Sequence, residues 1–216
     1  MEFVLGVPRL SEQELLIEML DSIFQSTWKP TRFFLVDNGS IQIFECMDQN
    51  IEIIRPVQNL GVAASWNLIH KLAAPLSVVL LNADCAVAPD TFEKMFDVPG
   101  PAIVCAYAFG CVRIDHEIWE KVGDFDEQFW PAYYEDADYR QRCKLAGVEI
   151  VNWDIEPSSL VSPGRTRSVN GIVHGKLDFG WPGPGTIHEH IEANKARFVR
   201  KWGGMPGEEK FSVAYG

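Results

Sequence analysis

Three features are missing from this sequence, and each absence limits what the protein can be. Its five cysteines are odd in number and scattered, and no two of them form a CxxC pair. This argues against a disulfide framework or a zinc cluster and favours a reducing compartment, where cysteines are small buried residues. The longest apolar stretches, such as 76–81, are far shorter than the roughly 20 residues of a membrane helix. The first residues lack the basic start and long apolar core of a signal peptide, so we expect a cytoplasmic protein without a membrane span.

Positive charge is also scarce. The 19 Lys and Arg residues are outnumbered by 30 Asp and Glu residues, which gives a formal net charge of -11. A sequence-independent grip on nucleic-acid phosphates is therefore disfavoured, although a local basic cleft is compatible with this balance. Because 47% of the residues are hydrophobic and 23% are charged, the composition is that of a globular protein. A length of 216 residues suits one domain with a single core.

Apolar runs alternate with helical patterns along the chain. Strands are predicted at 3–7, 33–36, 51–54, 77–81, 102–106 and 111–114. Helices are predicted after a capping box at Ser11 and at 62–72, 90–96, 115–122, 136–145 and 187–201. The alternation predicts an α/β fold with a mostly parallel central sheet. A segment rich in Gly and Pro, 162–186, is predicted to be irregular, and the residues after 202 to be a loosely held tail.

Polar residues follow three of the predicted strands. They are Pro8 with Arg9, Asp37, and Asn82 with Asp84. Ligands of an open parallel sheet bind beyond the carboxyl ends of its strands, so these residues are candidates for a binding site. An aspartate there can accept a hydrogen bond from a ribose hydroxyl or hold a divalent cation against a diphosphate. Taken singly, Asp37 and Asp84 fit the interpretation of ordinary turn residues equally well.

Two further segments carry candidate chemistry. Asn59 to Asn67 places an asparagine before a helix whose first turn has small residues, which suits the approach of an anionic group, although helix capping by Asn59 explains the pattern as well. Glu135, Asp136 and Asp138 put three carboxylates at the start of another helix, where the helix dipole favours negative charge. Asp138 and Arg142 are four residues apart, and a structural ion pair is favoured for them. Aromatic residues lead into this helix and predict a wall beside a polar site; they are Phe125, Phe129, Trp130, Tyr133 and Tyr134.

Five segments together resemble the family 2 glycosyltransferases. They are FFLVDNGS at 33–40, NLGVAASWN at 59–67, LLNADC at 80–85, GDFDEQFWPAYYEDADYRQR at 123–142 and RKWGG at 200–204. The resemblance implies a GT-A fold over residues 1–204, with a nucleotide-binding half to about residue 100 and an acceptor half after it, followed by a tail at 205–216. It also implies inverting transfer of a sugar from a nucleoside diphosphate donor, with a UDP-sugar preferred by family frequency.

The resemblance assigns roles to individual residues. Pro8, Arg9 and Asp37 would line the base and ribose pocket, with Asn59, Gly61 and Asn67 nearby. Asn82 and Asp84 occupy the place of the family's DxD motif, so Asp84 would be the main carboxylate for Mn2+ or Mg2+. Asp136 matches the general base, and Glu135 would orient the acceptor or share that role.

The remaining assignments concern the later part of the chain. Arg165 and Arg167 are candidates for a lid over the phosphates, and solvated loop charges are an equal alternative. The family's histidine ligand is expected near Trp181, where this sequence has none, so His174 or His188 is the candidate metal ligand. His70 and His116 are expected to be structural.

Two other functions remain open from the sequence. One is a nucleotide-sugar-binding domain without turnover, suggested by Asn82 and the displaced histidine. The other is a nucleotidyltransferase-like enzyme, which would release pyrophosphate. The acceptor could be a glycan, a protein side chain or a modified nucleobase, and the acidic charge mildly disfavours the last of these.

Overall fold

Strands and helices alternate in the computed structural model, which describes residues 2–10, 13–40, 50–107, 109–152 and 187–216. The strands are β1 (Phe3–Arg9), β2 (Arg32–Asp37), β3 (Ile51–Ile54), β4 (Ser77–Leu81), β5 (Ile103–Tyr107), β6 (Cys111–Ile114) and β7 (Ile150–Asn152). The helices are α1 (Gln13–Gln25), α2 (Gly61–Ala73), α3 (Thr91–Asp97), α4 (His116–Val122), α5 (Glu135–Leu145) and α6 (Ile187–Trp202).

The seven strands form one sheet in the order β3-β2-β1-β4-β6-β5-β7. Neighbouring strands are parallel except around β6, which runs antiparallel to both β4 and β5. The predicted α/β class and mostly parallel sheet are therefore confirmed. Because β1 to β4 run the same way, their carboxyl ends meet at one edge of the sheet, where ligands of such folds bind.

Helices cover both faces of the sheet, which explains why the strands read as continuous apolar runs. One core layer packs α1 and α3 against the sheet through residues such as Leu16, Met19 and Phe92. The other layer packs α2, α4 and α5 through Trp66, Trp119 and Tyr139, among others. Strand and helix backbones come unusually close at Gly6, where a Cβ would lie 2.4 Å from the Ile69 side chain.

A buried ion pair replaces apolar packing at the end of β6. Arg113 donates to Asp115 from Nε at 2.8 Å and from a terminal nitrogen, and it also donates to the backbone carbonyls of Met95 and Val98. Asp115 accepts from the backbone N–H of Ala102 at 2.8 Å. The pair therefore ties α3 and the start of β5 to the middle of the sheet.

The structure differs from the sequence predictions in three places. Strand β7 was not predicted, because it has only three residues, two half-buried and one exposed, and so gives no periodic signal. Phe125 and Phe129 are core residues and do not line a polar site; Phe125 stacks on Tyr139 at 4.1 Å, and Phe129 is fully buried. The residues after α6 are bound to its end, since the N–H groups of Lys210 and Phe211 donate to the Trp202 carbonyl.

Two further expectations can be compared with the described residues. Cys85, Cys105, Cys111 and Cys143 are all free and buried, as expected of small apolar residues. Among the helices of the described ranges, none combines the length and the apolar character that crossing a membrane requires.

Candidate active site

The ends of β1 and β2 hold a buried cation and a buried anion side by side. Arg9 and Asp37 are register partners, and a terminal guanidinium nitrogen of Arg9 lies 3.6 Å from a carboxylate oxygen of Asp37. Arg55, which follows β3, approaches the same oxygen at 3.8 Å from a half-exposed position. The second Asp37 oxygen accepts from the N–H of Ser40 at 3.0 Å. Burial lowers the pKa of Arg9 from its ordinary value, and the nearby Asp37 charge opposes that shift.

Asn38 connects this pair to the start of α2. Its amide nitrogen donates to the Ser65 hydroxyl at 3.0 Å, and its amide oxygen accepts from the N–H of Leu60 at 2.9 Å. The Ser65 hydroxyl in turn donates to the Gly61 carbonyl at 2.6 Å. The end of β2 and the first turn of α2 are therefore fixed relative to each other by these hydrogen bonds.

Gly61 is the point at which α2 meets the segment before α5. It has φ +76, and a Cβ there would lie 2.7 Å from the Pro131 carbonyl and 2.8 Å from the Trp130 ring. Asn59 accepts from the Gly61 N–H at 2.8 Å, and its carbonyl accepts from the Trp130 indole at 3.1 Å. Only glycine fits this approach. Leu60, rather than Asn59, is the residue that directly precedes the helix.

Asn67 is buried on the inner side of α2. Its amide oxygen accepts from the N–H of Phe125 at 2.8 Å, and its amide nitrogen donates to the Phe125 carbonyl and to Glu127 at 2.9 Å each. These bonds hold the loop between α4 and α5 in place. Asn67 therefore stabilises the loop that leads into α5, and its side-chain amide is already used by these hydrogen bonds.

Asn82 and Asp84 follow β4 in a tight turn. The Asn82 N–H donates to the Gly110 carbonyl at 2.9 Å, and its carbonyl accepts from the N–H of Cys85 at 3.0 Å. Burial raises the pKa of the Asp84 carboxyl, and hydrogen bonds from its own backbone and from the Cys85 thiol only partly oppose that shift. A carboxylate with so little compensation at a strand end is suited to a cation.

The two residues before α5 have left-handed backbone conformations. Tyr133 has φ 72 and Tyr134 has φ 76, a region that residues with a Cβ rarely adopt. Tyr133 is half-buried, and burial together with the charges of Glu135 and Asp84 raises the pKa of its phenol. Asp84 and Glu135 thus both act on Tyr133, although they are far apart in sequence. The left-handed backbone of Tyr133 and Tyr134 is strained, and backbone strain of this kind is concentrated at functional sites.

Glu135 and Asp136, in the first turn of α5, differ in environment. Glu135 is 6% exposed, and one of its carboxyl oxygens has no hydrogen-bond partner among the described residues. Burial, and then the charge of Asp136, raise the Glu135 pKa well above its ordinary value. Asp136 is half-buried, and its charge also acts on Cys105 of β5. Of the two, Asp136 has the access that a general base needs.

Asp138 has the structural role expected from its spacing. It is fully buried, and one carboxylate oxygen accepts from Nε of Arg142 at 2.9 Å. The guanidinium of Arg142 also donates to the Val122 carbonyl at 2.9 Å. The predicted ion pair is confirmed.

Part of the predicted site lies outside the described residues. Arg165, Arg167 and His174 belong to this group, as does the expected ligand position at Trp181. His188 is described, and it is exposed at the start of α6. Across the described ranges, His, Cys, Asp and Glu side chains form no group of three that could hold a metal ion. Of the predicted metal ligands, Asp84 and His188 are thus the two that lie within the described residues.

With this geometry in place, the chain can be compared with known proteins. The model of glycosyl transferase family 2 matches residues 5–146. The chain belongs to glycosyltransferase family 2. The match includes every strand-end residue discussed above and the first turn of α5. No curated protein matches the family 2 chain.

Solved structures show which fold this family 2 chain has. A mannosyltransferase from Pyrobaculum calidifontis, PcManGT, solved with GDP-Man and Mn2+, aligns with a TM-score of 0.57 at 17% identity over 70% of this chain. S. aureus TarS aligns at 0.56, with 13% identity over 92%. GalNAc-T7, solved with UDP, GalNAc and Mn2+, aligns at 0.62, with 12% identity over 93%. The expected GT-A fold is confirmed. This chain covers 54%, 43% and 48% of those three chains, so it spans about half of their length.

Sequence reasoning missed Arg55 and Arg140 of the candidate site, and it did not predict the backbone conformation of Tyr133. Arg55 was detectable, because it directly follows β3 as Asp37 follows the predicted strand 33–36. The conformation of Tyr133 leaves no pattern in the sequence. Arg140, whose guanidinium lies 4.5 Å from the Phe109 ring centre and 3.9 Å from the Cys105 sulfur, is on the same helical face as Asp136, and its spacing of four could have drawn attention to it.

Proposed function

We propose that the protein is an inverting glycosyltransferase that moves a sugar from a nucleoside diphosphate donor to an acceptor hydroxyl, with Asp136 as the general base. The observation that carries this proposal is that the charges of Glu135 and Asp84 both raise the pKa of Tyr133, after burial. The end of β4, the expected diphosphate side, is therefore within electrostatic range of the α5 turn that bears Asp136. Membership of a family of sugar transferases supports the same reaction.

In the proposed step, the acceptor oxygen forms a bond to the anomeric carbon while the bond from that carbon to the diphosphate oxygen breaks. Asp136 takes the proton of the acceptor hydroxyl, and the nucleoside diphosphate leaves with the electron pair of the broken bond. Because nucleophile and leaving group lie on opposite faces of the carbon, the configuration inverts. A positioned base of this kind contributes about 10²- to 10⁴-fold to a rate.

The donor's nucleoside is proposed to bind at the ends of β1 and β2. Asp37 would accept from the ribose or the base, while the ion pairs with Arg9 and Arg55 orient its carboxylate. Pro8, which faces Val36 across the strand pair, would form part of the wall. Arg165 and Arg167 remain the proposed lid. A UDP-sugar is the first donor to test, and GDP and TDP sugars follow.

A divalent cation, Mn2+ or Mg2+, is proposed beside Asp84. When bound, it would neutralise charge that develops on the leaving diphosphate. The fit of this residue rests on its position after β4 and on the raised pKa that burial gives its carboxyl. His174 and His188 remain proposed further ligands. Two of the similar solved structures contain Mn2+, which supports the same cation here.

Substitution of Asp136 by Asn tests the proposal. This variant should bind a UDP-sugar with Mn2+ as the parent does, measured by calorimetry, and should transfer sugar about 10²- to 10⁴-fold more slowly. The matched control is Asp97→Asn, an exposed aspartate at the end of α3. Transfer by Asp136→Asn at the parent rate would remove Asp136 from its role.

The same assay separates the competing functions. A parent protein that binds the donor but never transfers or hydrolyses it would be a binding domain without turnover. Release of pyrophosphate instead of nucleoside diphosphate would indicate a nucleotidyltransferase. The acceptor can then be sought by mass spectrometry of glycans, proteins and nucleobases incubated with an active donor. The cytoplasmic location stays a prediction.

A further inference from the structure

The aspartate two positions after the proposed base is held from a distant part of the chain. One oxygen of Asp138 accepts from the Trp202 indole N–H at 2.8 Å and lies 2.6 Å from the Lys201 ammonium. Its other oxygen accepts from Arg142. Asp138 is 0% exposed, so these three donors satisfy a carboxylate that has no contact with water. Two of them come from the last turn of α6, more than 60 residues away in sequence.

Lys201 contacts a second carboxylate. Its ammonium lies 2.7 Å from Asp126, in the loop before α5, and 5.7 Å from the centre of the Phe129 ring. The lysine is 7% exposed. A buried ammonium between two carboxylates fixes the distance between the parts of the chain that carry them, because either carboxylate would be left partly uncompensated if it moved away.

The rest of α6 lies against the segment that enters α5. The Asn194 amide donates to the carbonyls of Trp130 and Ala132 at 3.1 and 2.9 Å. Phe198 packs with Phe129 and Trp202, and its ring centre lies 5.8 Å from that of Tyr134. The strained backbone before α5 is therefore held from one side by a single helix.

The residues that follow α6 fold back and stabilise its last turn. The N–H of Tyr215 donates to the Lys201 carbonyl at 2.7 Å, and those of Lys210 and Phe211 donate to the Trp202 carbonyl. The end of a helix normally leaves such carbonyls without partners. Gly204 permits the fold-back, since a Cβ there would lie 1.9 Å from the Glu208 carbonyl oxygen.

From these contacts we propose that Lys201 and Trp202 are positioning residues for Asp136 and act through Asp138; this inference rests on the proposed function. Asp138 and Asp136 share the first turn of α5, and the Asp138 N–H donates to the Tyr134 carbonyl at 2.9 Å. A turn held at Asp138 keeps the Asp136 carboxylate at a fixed distance from the donor. A displacement of about 1 Å at a reacting group can slow a reaction about 100-fold.

Two substitutions separate positioning from ordinary stability. Trp202→Phe keeps a ring in the same place but removes the N–H that Asp138 accepts from. Lys201→Met keeps an apolar stem but removes the ammonium. Each should lower kcat of sugar transfer at least tenfold while the KM and the calorimetric Kd for the donor change less than twofold. Arg200→Met, an exposed neighbour on α6, is the control and should match the parent.

The parent is assayed first, since a parent that transfers no sugar overturns both the proposed function and the positioning role. With an active parent, an unchanged kcat in Trp202→Phe and Lys201→Met overturns the positioning role alone. Joint loss of kcat and donor binding, with a lower melting temperature, also overturns it, because that pattern marks residues that only stabilise the fold. Loss of kcat with donor binding and melting temperature retained in Trp202→Phe supports it.

Discussion

Two neighbouring regions treat buried charge in opposite ways. Where α5 meets α6, Asp138 has three donors and no exposure. On the side toward β4, Glu135 is buried and Asp84 is half-buried, each has few partners among the described residues, and burial raises the pKa of both. The first arrangement holds the fold together. The second leaves carboxyl groups that a substrate or cation can complete, which is how sites with perturbed acids are built.

The His70 side chain is a buried group with few partners that lies outside the candidate site. It is 8% exposed, its Nδ1 has no hydrogen-bond partner among the described residues, and it belongs to no proposed site. Its Nε2 lies 3.0 Å from Nδ1 of His116, and its ring stacks on Trp119 at 4.1 Å. A poorly compensated buried group therefore indicates a site only when other site residues surround it.

The largest predicted effect on stability is at Asp138, where α5 meets α6. Asp138→Ala would leave the part-buried Arg142 without its carboxylate partner and the buried Lys201 with Asp126 alone, which should lower the free energy of unfolding by about 3–5 kcal/mol. Urea denaturation measures this. The control is Asp90→Ala, whose pair with Lys94 is half-exposed and should contribute little. If Asp138→Ala lowers the free energy of unfolding no more than Asp90→Ala does, the buried contacts of Asp138 contribute no more than a surface pair. The contrast drawn between the two regions would then fail.

A smaller effect is predicted at His70. Burial, and next the charge of His116, lower its pKa to about 4, while Asp124 and Glu120 oppose and Lys71 adds to the shift. The unfolded chain takes up this proton near pH 6.5 and the folded chain only near pH 4, so stability is complete above pH 6.5 and falls below it. The loss should approach about 2–3 kcal/mol at pH 4.

His70→Phe measures that contribution, because the ring can still stack on Trp119 but cannot take up a proton. Denaturation of parent and variant at pH 7.5 and pH 4.5 should show a smaller pH dependence for the variant. If the free energy of unfolding changes equally with pH in the two proteins, His70 is protonated as easily in the folded chain as in the unfolded one.

The smallest predicted effect on stability is at Glu135, whose carboxyl group has few partners. The pKa of Glu135 is raised in the folded chain, so its contribution favours folding at low pH and is lost as pH rises above its unfolded value near 4.3. Glu135→Gln should therefore be more stable than the parent at pH 8, by on the order of 1 kcal/mol, and not at pH 4. It should also transfer sugar more slowly, since sites exchange stability for activity. A destabilised variant at pH 8 would show that the ionised carboxylate has partners that hold it.

The strand-end half of the site could be predicted from the sequence because its signals are local. Asp37 and Asp84 each follow an apolar run, and the alternation of strands with helices orients those runs in parallel. The bounds of β3, β4 and β6 agree with the predicted strands for the same reason. The Asp138 and Arg142 pair was predictable because a helix brings residues four apart onto one face.

The other half could not be predicted, because its contacts join distant residues. Asp138 meets Trp202 across 64 positions and Asp126 meets Lys201 across 75. No spacing rule relates such pairs. Arg113 was missed for a different reason, because it is a buried charge in a strand whose other residues are apolar, and its partner Asp115 directly follows that strand. Phe125 and Phe129 were misassigned because an aromatic cluster has the same composition in a core as in a wall.

The contact at Gly61 also constrains how this chain could be recombined with other members of its family. The segments 59–61 and 130–131 fit each other so closely that a methyl group at residue 61 has no space. A chimera that takes segment 59–61 from one protein and segment 130–131 from another would pair two surfaces that were not fitted to each other. Both segments should therefore be inherited from the same parent.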